Sequence, residues 1–163
     1  METQGLNLFI VDDNKLMVND LKHYLQNKFG QGVRVSTFND GQSCLEMVDK
    51  KTDIVILDYF LEDESGLDVL KSIKSKNPKT EVIMLSSNED MALAIQTFRE
   101  GASEYVVKGK GAWSKVAKMV THIVTKPIRM MVKEFGVSKF MATFLFTFVV
   151  MGIVVYTVLQ LIK

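Results

Sequence analysis

Asp53-Ile54-Val55-Ile56-Leu57-Asp58-Tyr59-Phe60 sets four consecutive β-favouring apolar residues between two carboxylates. A run this short and uniformly apolar reads as a strand buried on both faces, the pattern of a central strand in a parallel sheet covered by helices. Asp58 then stands at its carboxyl end. In an open parallel α/β sheet that end borders the crevice where ligands bind. A helix cap or a solvated strand end would account equally well for one Asp in isolation.

The N-terminus repeats the pattern. Leu6-Asn7-Leu8-Phe9-Ile10-Val11 is a second mostly apolar strand and runs directly into Asp12-Asp13-Asn14. If both strands are central and parallel, Asp12, Asp13 and Asp58 converge. Three carboxylates in one crevice repel one another unless a cation sits among them. All-oxygen ligation points to a hard divalent ion, Mg²⁺ before Zn²⁺.

Outward from these two strands the chain alternates. Residues 14–28 have helical spacing, with Leu16, Val18, Leu21, Tyr24 and Leu25 expected inward, and end at Gly30. Residues 33–38 read as a strand, Asn39-Asp40-Gly41 as a turn, and 42–50 as a short helix with Leu45 and Val48 inward. After the Asp58 strand, Leu61 to Gly66 is a polar loop and 67–76 a helix that stops before Asn77-Pro78. Residues 81–85 form a strand that delivers Ser86-Ser87-Asn88, followed by a helix with Met91, Ala94, Ile95 and Phe98 expected inward. Residues 104–107 form a strand that delivers Lys108, and a helix from about Ala112 to Thr125 completes five β/α repeats. Such alternation implies a parallel, doubly wound sheet with right-handed crossovers.

Charge divides the chain. Residues 1–109 hold 12 Lys/Arg and 18 Asp/Glu, net −6, whereas residues 110–163 hold 8 and 1, net +7. Phe140 to Ile162 is 23 residues without a charge. As a helix it spans roughly 34 Å, enough to cross a hydrocarbon core of about 30 Å with some tilt. Before it, Lys126, Arg129 and Lys133 share one helical side and Ile128, Met131, Val132 and Phe135 another, as in a helix lying in the headgroup layer. The expected organisation is a domain over 1–125, a basic amphipathic juxtamembrane segment over 126–139 and a transmembrane helix over 140–162. Lys126, Arg129, Lys133 and Lys139 precede the span and only Lys163 follows it, so the acidic domain is expected in the cytoplasm. Gly152 and Ala142 form no small-xxx-small pair, a weak signal for helix dimerisation. No signal peptide precedes the first strand. Single Cys44 excludes an internal disulfide and reads as a buried structural thiol, while His23 and His122 read as surface or packing residues on helices.

Polar residues thus end four of the five strands: Asp12 and Asp13, Asp58, Ser86 and Lys108. With Val11-Asp12-Asp13, Leu57-Asp58-Tyr59, Met84-Leu85-Ser86-Ser87 and Gly101-Ala102-Ser103-Glu104-Tyr105-Val106-Val107-Lys108, the chain resembles the receiver domain of two-component response regulators over about residues 5–125. The resemblance implies a flavodoxin-like five-stranded sheet of order 2-1-3-4-5. It implies that Asp58 takes a phosphoryl group from a phosphohistidine on a sensor histidine kinase or phosphotransfer protein. It also implies Mg²⁺ held by Asp13, Asp58, Asp12 partly through water, and the backbone carbonyl of Phe60. Lys108 would neutralise one phosphoryl oxygen, Ser86 would hydrogen-bond another, and Tyr105 would be the aromatic that changes position with Ser86. Two departures stand out: Gly109 where that family usually has proline after the lysine, and Ser86 where it usually has threonine. Phe60, bulky and apolar two residues after the acceptor, is expected to shield the phosphoryl group from water.

The function expected from all this is a single-domain response regulator anchored in a bacterial inner (cytoplasmic) membrane, signalling to a membrane-associated output protein and not to nucleic acid. No DNA-binding module fits in the last 40 residues. The main alternative is a receiver-fold scaffold that recruits partners without cycling phosphate. A metal-dependent phosphohydrolase would commonly place a second Asp two residues after its nucleophile, where this chain has Phe60.

Overall fold

The computed structural model describes residues 5–161 apart from residue 136, with the side chains of residues 126–142 and of residue 161 outside that description. The expectation that Lys126, Arg129, Lys133 and Lys139 form a headgroup-facing side therefore lies outside the described residues, as does Lys163. The elements are β1 (Leu6–Val11), α1 (Lys15–Phe29), β2 (Val33–Phe38), α2 (Gly41–Met47), β3 (Ile54–Asp58), α3 (Gly66–Lys76), β4 (Glu81–Ser86), α4 (Met91–Arg99), β5 (Glu104–Val107), α5 (Ala112–Phe135) and α6 (Val137–Leu161).

All four strand pairings are parallel, in the order β2-β1-β3-β4-β5. This is the flavodoxin-like order 2-1-3-4-5. Alternation along each strand loads both faces of the sheet. Leu8, Ile10, Ile54, Ile56, Ile83 and Leu85 pack with Val18, Leu21 and Leu25 of α1 and Val116, Ala117 and Val120 of α5. On the other face Phe9, Val11, Val55, Leu57, Val82 and Met84 pack with Cys44 and with Leu67, Val69, Leu70 and Ile73 of α3. A sheet covered on both sides requires apolar central strands, and Ile54, Val55, Ile56 and Leu57 of β3 are all buried, with Asp58 buried at its carboxyl end. Burial pushes the Cys44 thiol up to about 12, with Asp40 and Glu64 adding to the shift, as befits a structural thiol.

Several inward assignments are corrected. Leu16, at the start of α1, is 78% exposed. In α4, Met91, Ile95 and Phe98 are exposed, and the buried residue is Thr97, whose hydroxyl donates to the Ala94 carbonyl at 2.8 Å. Both stripes of α4 have helical spacing, so periodicity could not rank them. Helix α2 ends at Met47, and Val48 is its C-cap and still buried. Helix α5 continues through Pro127 to Phe135 and does not stop at Thr125. A proline inside a helix removes one backbone donor without by itself ending the element.

By internal contacts the chain divides into two compact units, Met1–Ile123 and Val124–Lys163. Within the second, Thr143–Gln160 of α6 is 18 residues long and apolar enough to cross a membrane, and none of it is buried.

Candidate functional site

Strand register assembles the site. Val11 pairs with Leu57, so the next residues along β1 and β3, Asp12 and Asp58, leave the sheet side by side. Asp58 pairs with Leu85 and Ser86 with Val107, which puts Ser86 and Lys108 at the neighbouring strand ends. The Lys108 N–H donates to the Ser86 carbonyl at 2.7 Å, fixing where the lysine departs from β5.

Local turns hold the acids in place. Asn14 caps α1 by accepting from the Leu16 and Met17 N–H groups, and its own N–H donates to Asp12 Oδ1 at 2.9 Å. After Asp58 the chain folds back on itself: the Phe60 N–H approaches Asp58 Oδ1 at 3.4 Å and the Gly66 N–H donates to the Tyr59 carbonyl at 3.0 Å. A Cβ at Gly66 would lie 2.1 Å from the Asp58 carbonyl oxygen, so only glycine lets α3 start this close to the acceptor strand.

Asp12 and Asp58 are 2% and 3% exposed and Asp13 is partly buried, and one carboxylate oxygen of each lies within 4.8 Å of the others. Lys108 Nζ donates to Asp12 Oδ2 at 2.8 Å and to Asp58 Oδ2 at 2.6 Å. One ammonium therefore serves two buried carboxylates. Burial raises the Asp58 pKa above its ordinary value and the Asp12 charge adds to this, with the Lys108 hydrogen bond opposing. For Lys108, burial pulls down, but its bonds to Asp12 and Asp58 outweigh that and hold the ammonium form above the usual lysine range. Three carboxylates against one lysine leave a net negative, all-oxygen donor set, which fits a hard divalent cation such as Mg²⁺.

Asp12, Asp13, Asp58 and Lys108 are thus brought into one cluster. Gly109 has φ 152°, in the region that favours glycine, and the lysine reaches both acids without the proline usual at that position. Ser86 is fully buried, and its Oγ accepts from the Asn88 N–H at 3.0 Å. Tyr105 packs against the core face formed with α3, and its hydroxyl donates to the Asn88 carbonyl at 2.8 Å. Phe60 is 48% exposed, with its ring edge-on to Tyr59 at 4.8 Å between centroids. Sequence reasoning did not single out Asn14, Gly66 or Asn88. An Asn directly before a helical run and a Gly directly after Ser65 were signals for the first two. Asn88 meets Ser86 and Tyr105 through its backbone while its side chain accepts from the Asp90 N–H at 2.9 Å, so residue type signals the turn but not those two partners.

The sequence profile described as "Response regulator receiver domain" matches residues 8–130. The chain is 29% identical over 109 residues to the transcriptional regulatory protein ZraR of Klebsiella oxytoca, covering 66% of this chain and 24% of that protein. It is 30% identical over 106 residues to the probable transcriptional regulatory protein TcrX of Mycobacterium tuberculosis, covering 64% and 44%. It therefore spans less than half the length of these curated relatives. Among solved structures, the BeF3-activated DrrB receiver domain superposes with a TM-score of 0.66 at 29% identity, covering 74% of this chain and 97% of that one. A receiver domain protein from Clostridium thermocellum gives a TM-score of 0.68 at 25% identity, covering 77% and 98%.

Proposed function

The chain belongs to the response regulator receiver domain family, and on that basis we propose that Asp58 accepts a phosphoryl group from the phosphohistidine of a sensor kinase or phosphotransfer protein. The observation that carries this reading is the cluster itself: three acids within 4.8 Å and one lysine bridging two of them. An Asp58 oxygen attacks phosphorus, the P–N bond breaks, and the imidazole nitrogen keeps the electron pair and takes a proton. Carboxylates are weak nucleophiles toward a charged phosphoryl group, so alignment and charge cancellation supply the catalysis. Mg²⁺, held by Asp13, Asp58, Asp12 and the Phe60 carbonyl, would supply charge neutralisation at the phosphoryl oxygens. Lys108 then exchanges its Asp58 bond for a phosphoryl oxygen while Asp12 continues to hold it. Phe60, half-exposed beside the acceptor, screens the product from water.

The signal leaves through Ser86 and Tyr105. Ser86 Oγ gives up the Asn88 N–H and donates to a phosphoryl oxygen, and the loop before α4 follows, because Asn88 also holds the Tyr105 hydroxyl. This is a population shift between two packings, biased by about −1.5 to −2 added charges. The domain works from the cytoplasmic side of a bacterial inner membrane, tethered by α6, whose apolar segment Thr143–Gln160 supports a span. Residues 126–139 are its basic juxtamembrane segment, and output passes through protein contacts at the membrane.

Full-length protein incubated with Mg²⁺ and acetyl phosphate, or with beryllofluoride, tests the chemistry. Mg²⁺-dependent modification is expected; none in the wild type would favour the phosphorylation-independent scaffold. Alkaline carbonate extraction tests the tether: the chain should stay in the membrane pellet, and washing off would end the span reading.

A further inference from the structure

The connections at the two ends of the sheet differ in charge. Those leaving the carboxyl ends of the strands, residues 12–14, 39–40, 59–65, 87–90 and 108–111, hold eight acids against Lys108 and Lys110, net −6. Those entering the amino ends, residues 30–32, 48–53, 77–80 and 100–103, hold three acids and three lysines, net zero. Folding accounts for part of the excess: Asp40 and Asp90 cap α2 and α4, and Asp12 accepts from the Asn14 N–H. It does not account for Glu62, Asp63 and Glu89, which are exposed and, among the described residues, make no hydrogen bond or ion pair. Strand β3 is the middle one and neighbouring strands lie about 4.8 Å apart, so every carboxyl-end connection leaves the sheet within about 10 Å of the strand that carries Asp58. Screening over that distance is weak at low ionic strength, and a ligand approaching Asp58 meets the field of all of them.

We propose that this acidic rim is a charge filter on the phosphodonor: it holds back free dianionic acyl phosphates and passes donors whose phosphoryl group arrives with a cation beside it. The filter rests on Asp58 being the phosphoacceptor. Two small donors separate charge from chemistry. With acetyl phosphate, a dianion, an Asp58 oxygen attacks phosphorus, the P–O bond breaks and acetate leaves with the electron pair. With phosphoramidate, a monoanion near neutral pH because its nitrogen is protonated, the same oxygen attacks, the P–N bond breaks and ammonia leaves with the pair. Both deliver the same group to the same atom beside the same Mg²⁺. The ratio of their rates therefore cancels effects on metal and acceptor and keeps the one charge by which the donors differ. A protein donor meets the same field, so its phosphohistidine belongs on a basic surface.

Full-length protein in neutral detergent with saturating Mg²⁺ is given each donor in turn, and the initial rate of phosphoryl addition is read by intact mass. The ratio of the acetyl phosphate rate to the phosphoramidate rate is expected to rise about threefold between about 0.05 M and about 0.5 M salt. At about 0.05 M salt, Glu62→Lys combined with Glu89→Lys should raise that ratio about twofold or more. Glu46→Lys combined with Glu100→Lys makes the same change in net charge at the far ends of α2 and α4 and should move it far less. A ratio indifferent to salt and to the rim substitutions overturns the filter. An equal rise from the two pairs also overturns it, because net charge and not the rim would then set the ratio. No addition from either donor overturns the phosphoacceptor reading and the filter with it, so the two failures give different results.

Discussion

The two ends of the sheet use the same residue types for opposite purposes. At the amino ends of the strands polar groups tie one chain segment to another. Asp53 accepts from the Asn7 N–H at 2.8 Å, Asn77 Nδ2 donates to the Asp49 carbonyl at 3.0 Å, and the Thr80 hydroxyl donates to the Thr52 carbonyl at 2.9 Å. Ser103 donates to Glu81 and accepts from the Val82 N–H. Thr52, Asn77 and Thr80 are buried with their hydrogen bonds made, as stability requires. At the carboxyl ends, Asp12 and Asp58 are equally buried, yet they are two acids on one lysine with a third acid beside them. Folding alone gains nothing from crowding like charges. The difference separates polar groups that close the structure from a crowded acid cluster that folding does not require, which is where the proposed phosphoacceptor site lies.

Substitutions that treat the two ends alike should therefore give opposite results. The largest effect is expected from Asp58→Asn, which should abolish phosphoryl addition measured by intact mass while leaving the melting temperature unchanged or higher, because a costly buried charge is removed. A clear fall in melting temperature would mean that Asp58 is structural. Next is metal. Mg²⁺ should raise the melting temperature of the wild type, with stabilisation of about 2.7 kcal/mol at a concentration a hundredfold above its dissociation constant. Asp13→Asn should blunt that rise, and an unaltered response would remove Asp13 from the ligand set.

At the opposite end, Asn77→Ala should cost about 1–3 kcal/mol in denaturant unfolding, because buried carbonyls lose their donor, with no change in phosphorylation per folded molecule. Loss of phosphorylation in that variant would break the division between the ends. The smallest effect concerns an acid of neither cluster. Asp40 caps α2 through the Ser43 N–H at 2.7 Å and the Ser43 hydroxyl at 2.9 Å, and these bonds lower its pKa. A lowered folded pKa means that the contribution is present above the ordinary Asp value and is lost as pH falls through the folded value. Asp40→Ala should cost about 1 kcal/mol at neutral pH, with the difference from wild type closing under acid in pH-dependent melts.

How much of this was legible in the sequence differs element by element. β1, β2 and β5 match their expected spans because β1 and β5 are short, mostly apolar runs between polar breaks and β2 alternates apolar with polar residues, both patterns of a strand. Asp12, Asp13, Asp58 and Lys108 could be named because a parallel sheet sends all its strand ends to one side. Helix α4 was misread because Met91, Ile95 and Phe98 and the true inward face around Thr97 share one periodicity, and only packing distinguishes them. The link from Asn88 to Ser86 and Tyr105 was invisible because it runs through the Asn88 backbone, whereas the side chain only closes a local turn to Asp90.

The amino-acid order by itself fixed the alternation of strands and helices, the acids at the strand ends and the charge-free segment near the C-terminus, since each depends only on neighbours along the chain. Tertiary structure alone decided that Lys108 reaches two acids 96 and 50 residues away, that Gly66 must be small to pass the Asp58 carbonyl, and which stripe of α4 is buried. Those outcomes depend on distances across the sheet, which are set by strand register and close packing and not by spacing in sequence.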